Sequence, residues 1–218
     1  MSDDPKRTVE EAYDNIADWY LEWTESQRSP RESYIDKLLK NVPVSPRILE
    51  LGCGSGVPIT RMLLDRGAQV VANDLSSKQI SMAKQRCLEA TFVPGDMTAL
   101  TFEDGSFDGV VSFYAIFHLP RAEQKGMLAK ILSWMKPGGV FVLNLATVDE
   151  EEIHGEMMGN GMFWSSYNVE DSKAIVRDVG FEVLEAEVLE AGDGKLEESD
   201  PDCGVKFMWV VARKEGTK

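Results

Sequence analysis

One stretch fixes most of what this chain can become. The apolar run Arg47–Leu51 enters the segment Gly52-Cys53-Gly54-Ser55-Gly56, and a helical pattern, Pro58–Arg66, follows at once until Gly67 stops it. A strand that turns through glycines into a helix starts a β-α unit, and the alternation continues downstream. Gln69–Asn73, Thr91–Val93, Phe107–Phe113 and Val140–Ala146 read as strands. Ser77–Leu88 and Arg121–Met135 read as helices, and Lys136-Pro137-Gly138-Gly139 as a turn. Such alternation specifies a parallel sheet covered by helices on both faces, with right-handed connections. The end breaks the rhythm. After a helix capped by Asn168 and stopped by Gly180, the strands Phe181–Leu189 and Val205–Ala212 are joined by a loop alone and so pair antiparallel. The expected fold is α/β and Rossmann-like: a seven-stranded, mostly parallel sheet with an antiparallel C-terminal hairpin strand and helices on both faces.

Two helices are expected upstream. Thr8 and Glu11 form a capping box for residues 8–25, where Val9, Tyr13, Ile16, Tyr20 and Trp23 recur on one face. Ser29 and Pro30 start the second, which carries Tyr34, Ile35, Leu38 and Leu39. The 218 residues suit a single domain. Its parts are a helical cap (8–46), a core (47–146), a lid over the substrate (147–167) and a C-terminal helix with the strand hairpin (168–213). The lid is expected because 147–167 is long for a connection and holds His154, Met157, Met158, Met162, Phe163, Trp164 and Tyr167, side chains that suit an adaptable apolar pocket.

The formal charge of −14 restricts partners. With no Lys/Arg cluster to offset it, this surface repels a phosphate backbone or an anionic membrane. Nucleic acid is not expected as a partner. No apolar run reaches the roughly 18 residues of a bilayer span, so no membrane insertion is expected. Cys53, Cys87 and Cys203 lack metal-ligand spacing, so no metal site is expected. Their odd number suits a reducing, cytoplasmic setting. Monomer or homodimer stays open.

The glycine segment sits where open α/β sheets bind ligands, at the carboxyl ends of strands. Roughly twenty residues on, the next strand ends at Asp74, from which a carboxylate reaches both hydroxyls of a ribose. Val57 stands where a dinucleotide fingerprint has its third glycine, and Glu50 precedes the loop. A carboxylate there suits a ligand carrying an ammonium and a sulfonium better than one carrying a pyrophosphate, which places S-adenosylmethionine (SAM) ahead of NAD.

With the segments ILELGCGSG, VANDLSSKQISMAKQ, PGDMTAL, FEDGSFDGVVSFYAIFHL and WMKPGG in that order, the chain resembles the class I SAM-dependent methyltransferases, especially small ones similar to the quinone-biosynthesis C-methyltransferases. The resemblance spans about residues 8–213. It implies that Gly52, Gly54 and the Cys53 backbone flank the methionine portion, with Glu50 at its amino group. Asp74 takes the ribose, Leu75 and Gln79 border the adenine, and Asp96 accepts from the adenine amino group with Met97 alongside. Tyr13 and Tyr20 resemble tyrosines that close over the cofactor, and Phe113 ends the strand beside the methyl group.

Methyl transfer needs alignment more than covalent help, and a base only where the acceptor holds its proton. His118 is the first candidate base, since its ordinary pKa of about 6.5 suits neutral pH. Tyr114 is the second. The residues Ser112-Phe113-Tyr114-Ala115 lack the two prolines of the tetrad found in enzymes that methylate amide or adenine nitrogens, which argues against those substrates. Phe117, His118, Met158, Met162, Trp164 and Tyr167 form the expected acceptor pocket for a small molecule. Two other readings stay open: a non-catalytic SAM-binding module that regulates or scaffolds a partner, and a nicotinamide-dependent oxidoreductase on the same topology.

Overall fold

A computed structural model describes residues 4–26 and 29–216. Helices α1 (Pro5–Ser26) and α2 (Arg31–Leu39) precede the alternating unit β1 (Arg47–Leu51), α3 (Ile59–Asp65), β2 (Gln69–Asp74), α4 (Ser77–Arg86) and β3 (Thr91–Pro94). Then come β4 (Phe107–Ser112), α5 (Arg121–Trp134), β5 (Met135–Ala146), β6 (Glu150–Met157), β7 (Asn160–Ser166), α6 (Val169–Val179), β8 (Phe181–Glu190) and β9 (Lys206–Lys214). The seven-stranded sheet runs β3-β2-β1-β4-β5-β9-β8, and β9 alone runs opposite to the other six strands. The chain steps outward from β1 to β3, then crosses back to lay β4 on the other side of β1. That reversal opens a crevice at the carboxyl ends of β1 and β4.

Strand alternation builds a core on each face. Leu49, Leu51, Phe141, Leu143, Met208 and Val210 point toward Met127, Leu128, Ile131 and Trp134 of α5 and Val176 of α6. Ile48, Val140, Val142, Trp209 and Val211 point the other way, onto Tyr34, Ile35 and Leu38 of α2 and Leu63 of α3. Asn168 caps α6 by accepting the Asp171 N–H at 3.0 Å, as its position suggests.

Three local expectations change. Helix α1 starts at Pro5 rather than Thr8. Asp4 accepts the Lys6 N–H at 3.1 Å, and Asp followed by Pro is a complete helix start that precedes the capping box. Lys136–Gly139 opens β5 instead of preceding it, with a register shift between Phe107 and Gly109 absorbing the extra residues. Residues 150–166 form a β-hairpin, β6 against β7, turning at Met158-Gly159. The acidic run Asp149–Glu152 has poor strand propensity, and β7 is covered on both sides, so neither strand shows clean alternation. The hairpin packs on α1, where Val9 and Ala12 meet Met162 and Phe163. Helix α1 also docks on α4, with Asp14 accepting the Lys78 N–H at 3.1 Å. Held at both sides, α1 walls the crevice. No helix among the described residues is long and apolar enough to cross a membrane.

Candidate active site

The crevice spans about 690 Å³ with its solvent-open mouth included. Its floor is the turn after β1. The Gly52 and Cys53 N–H groups both donate to the Asn73 carbonyl, at 2.8 and 2.9 Å, tying the turn to β2. Gly52 has φ +79°, and a Cβ there would lie 2.5 Å from the Ala115 Cβ, so only glycine fits. At the end of β2, Asp74 accepts the Gly54 N–H at 2.7 Å on one oxygen and the Ser76 N–H at 2.9 Å on the other. Burial raises Asp74 to about 6.

Ser76 caps α4 by accepting the Gln79 N–H at 3.0 Å, which turns the Gln79 side chain toward the crevice it lines. That carboxamide is 1% exposed, and neither Nε2 nor Oε1 has a partner among the described residues. Buried amides are normally satisfied, so this orphaned one beside the crevice calls for a partner. At the far end, Asp96 accepts from Lys6 Nζ at 2.8 Å and from the Thr98 N–H at 2.8 Å. Leu75 and Met97 line the walls between.

A smaller recess continues from Gly52 and Gly54 and is lined by Tyr20, Arg31, Glu50, Cys53 and Phe113. Glu50 is 3% exposed and accepts from Thr60 Oγ1 at 2.6 Å. Burial pushes it up to about 8, so it is largely protonated at neutral pH. Arg31 is 6% exposed; its guanidinium lies 4.4 Å over the Tyr114 ring and makes no ion pair among the described residues. In the sequence it is marked only as a basic residue in the first turn of α2, the end where the helix dipole disfavours a cation.

Tyr13 and Tyr20 both line the crevice, 5.1 Å apart edge to face. Tyr13 Oη lies 3.0 Å from His118 Nε2, and His118 Nδ1 lies 2.8 Å from the Phe163 carbonyl. A carbonyl only accepts, so Nδ1 carries the proton and Nε2 accepts from the tyrosine. Burial lowers His118 to about 4. Its one lone pair is already used, and a neutral imidazole this acidic is a weak base.

The other expected acceptor residues do not converge on the crevice. Phe117 is buried and stacks on Phe207 at 5.7 Å, while Tyr167 donates to the Arg121 carbonyl at 3.4 Å. Met162 stands behind α1, Trp164 lies 6.1 Å from the His118 ring, and Met158 sits 52% exposed in the hairpin turn near Trp19 and Trp23. Tyr114 borders the crevice, but its ring lies edge-on to Phe207 and Trp209.

Residues 48–139 match the family model described as a methyltransferase domain. The chain is 29% identical over 169 residues to 24-methylenesterol C-methyltransferase 2 of Oryza sativa, a match covering 70% of this chain and 46% of that protein. It is 36% identical over 107 residues to an uncharacterized methyltransferase of Synechocystis, covering 48% of this chain and 50% of the other. The chain thus spans about half the length of these curated relatives. Among solved structures, the 1,6-didemethyltoxoflavin-N1-methyltransferase of Burkholderia thailandensis, with 1,6-didemethyltoxoflavin and S-adenosylhomocysteine bound, shares the fold. It superposes with a TM-score of 0.72 at 18% identity, covering 96% of this chain and 88% of that one.

Proposed function

We propose that this chain, whose residues 48–139 match a methyltransferase domain, is a class I SAM-dependent methyltransferase that transfers the methyl group of SAM to an apolar small molecule, releasing S-adenosylhomocysteine. SAM supplies an electrophilic carbon on a sulfonium. The observation that carries the reading is the unpaired, buried Gln79 carboxamide beside the anchored Asp74 carboxylate, both lining the cleft. Asp74 keeps acceptor capacity for two ribose hydroxyls. Gln79, Leu75 and Met97 border the base, with Asp96 at its amino group. The glycine turn, with the Cys53 backbone, flanks the methionine portion, whose carboxylate meets Arg31 and whose ammonium meets Glu50. These assignments match cation to anion at each end of the recess, as a zwitterion requires.

The chain's own residues then orient the reactants and exclude water. Helix α1 places Val9, Tyr13 and Tyr20 over the cleft, and Phe113 and Leu119 complete an apolar wall for the acceptor. His118 holds Tyr13 in place and takes no proton itself. The relative named for a sterol substrate supports an apolar acceptor. Carbon, oxygen, nitrogen and sulfur acceptors all fit this account. Three cysteines without a disulfide support a cytoplasmic setting. A screen with isotopically labelled SAM against phenols, thiols, amines, quinols and sterols tests the activity. Absence of SAM binding by calorimetry would sink the proposal, and binding without transfer to any acceptor would favour the non-catalytic module.

Two further outcomes are expected. Arg31→Ala should weaken SAM roughly thirtyfold by removing a charge-assisted bond, about 2 kcal/mol, yet leave 5′-methylthioadenosine, which lacks the carboxylate, unchanged. Equal losses for both ligands would show that Arg31 supports the fold and not the amino-acid end. SAM affinity should also rise from pH 6 to pH 8. Below its pKa of about 8 Glu50 is protonated, and a carboxylate that receives an ammonium must first lose that proton. The limiting slope is about tenfold per pH unit. Calorimetry in buffers of different ionisation enthalpy reads the released proton directly, and a flat profile would place the ammonium elsewhere.

A further inference from the structure

Tyr114 has φ +57°, in the left-handed region that bulky residues resist. It stands just past β4, at the break where the crevice opens, and its neighbours Phe113 and Ala115 wall the cleft. Something must hold that backbone. The Tyr114 N–H donates to Asn144 Oδ1 at 2.6 Å. Asn144 lies on β5, is 0% exposed and is not among the residues lining the crevice. Its Nδ2 has no partner among the described residues. A buried carboxamide that leaves its donor unsatisfied is retained for its acceptor.

Three parts of the site depend on the conformation that this bond holds. The Tyr114 ring, wedged against Phe207 and Trp209, is the platform on which the Arg31 guanidinium lies. Ala115 takes the position in which its Cβ leaves room for Gly52 and for no larger residue. The Phe113 carbonyl lies 3.9 Å from that same Cβ position. A shift of Tyr114 out of the left-handed region would move all three.

We propose that Asn144 is a positioning residue: by fixing the Tyr114 backbone, it sets Arg31 and the Ala115 wall and so controls affinity for SAM from outside the cleft. The inference rests on the cofactor reading above and adds a residue that touches no ligand.

The test is SAM calorimetry, with thermal midpoints, on the wild type, Asn144→Ala, Asn144→Asp, Tyr114→Gly and the double variant Asn144→Ala/Tyr114→Gly. Asn144→Ala should bind about tenfold more weakly. Asn144→Asp keeps an oxygen in the same place and should stay within about threefold of wild type. Tyr114→Gly weakens binding by itself, because Arg31 loses its ring. In that background glycine adopts positive φ freely, so adding Asn144→Ala should cost less than about twofold. Wild-type affinity in Asn144→Ala would overturn the proposal. So would equal weakness in Asn144→Asp, or a tenfold loss in both backgrounds. If Asn144→Ala does not fold, the Asp variant and the double variant decide. A wild-type protein that binds no SAM would overturn the cofactor reading instead, so the two failures are distinguishable.

Discussion

Replacing Asp74 by alanine is expected to abolish useful affinity for SAM, with a loss of at least roughly a hundredfold. The carboxylate is proposed to accept two ribose hydroxyls, and each bond to a charged acceptor contributes about 1.5–3 kcal/mol. The structure adds a second cost. The same two oxygens hold the Gly54 and Ser76 N–H groups, so the variant also releases the glycine turn and the start of α4. Asp74→Asn separates these effects, since one amide oxygen can still accept a backbone N–H while the second ribose bond is lost. Calorimetry on both variants checks the assignment. Unchanged affinity in Asp74→Ala would put the ribose somewhere else in the cleft.

Gly52→Ala should be the most damaging small substitution in the chain. The new methyl would lie 2.5 Å from the Ala115 Cβ, inside any real contact distance, at a backbone φ of +79°. Overpacking of this kind costs about 1–3 kcal/mol, and the left-handed backbone about 1 kcal/mol more. For a domain of this size, a total near 3 kcal/mol lowers the melting temperature by about 6–12 °C. Relief would require Ala115 and the Tyr114 backbone to move, which would also disturb the cleft, so SAM binding should fall along with stability. Thermal unfolding with and without SAM reads both effects. A variant as stable as wild type would mean that the turn after β4 yields easily, and would count against the role given to Asn144.

The succession of strands and helices along the chain was legible because hydrophobic alternation and turn residues are local. Arg47–Leu51 leads into glycines, Asp74 ends the next strand, and the loop between the last two strands leaves them only one simple pairing. The hairpin at 150–166 was not legible. Its strands are stabilised by α1 and by the contacts around His118, and a run of glutamates on β6 masks them. The cleft residues on the glycine turn, β2 and α4 could be named from sequence because one short stretch of chain carries them past the crevice.

Other roles depended on partners far along the chain. His118 has an ordinary histidine's promise as a base until Tyr13, 105 residues away, and the Phe163 carbonyl take both its nitrogens. Arg31 is a surface-type residue by sequence, and only the approach of α2 to the turn after β4 buries its charge over Tyr114. Asn144 reads as one polar letter in an apolar strand, and only the parallel pairing of β4 with β5 brings its oxygen to the Tyr114 N–H. The sequence by itself determined the succession of elements and the place of the cleft, since both follow from periodicity and glycine placement within a few turns of chain. The tertiary structure alone decided protonation, charge pairing and backbone strain, because burial and hydrogen-bond geometry come from residues that meet only when distant segments pack.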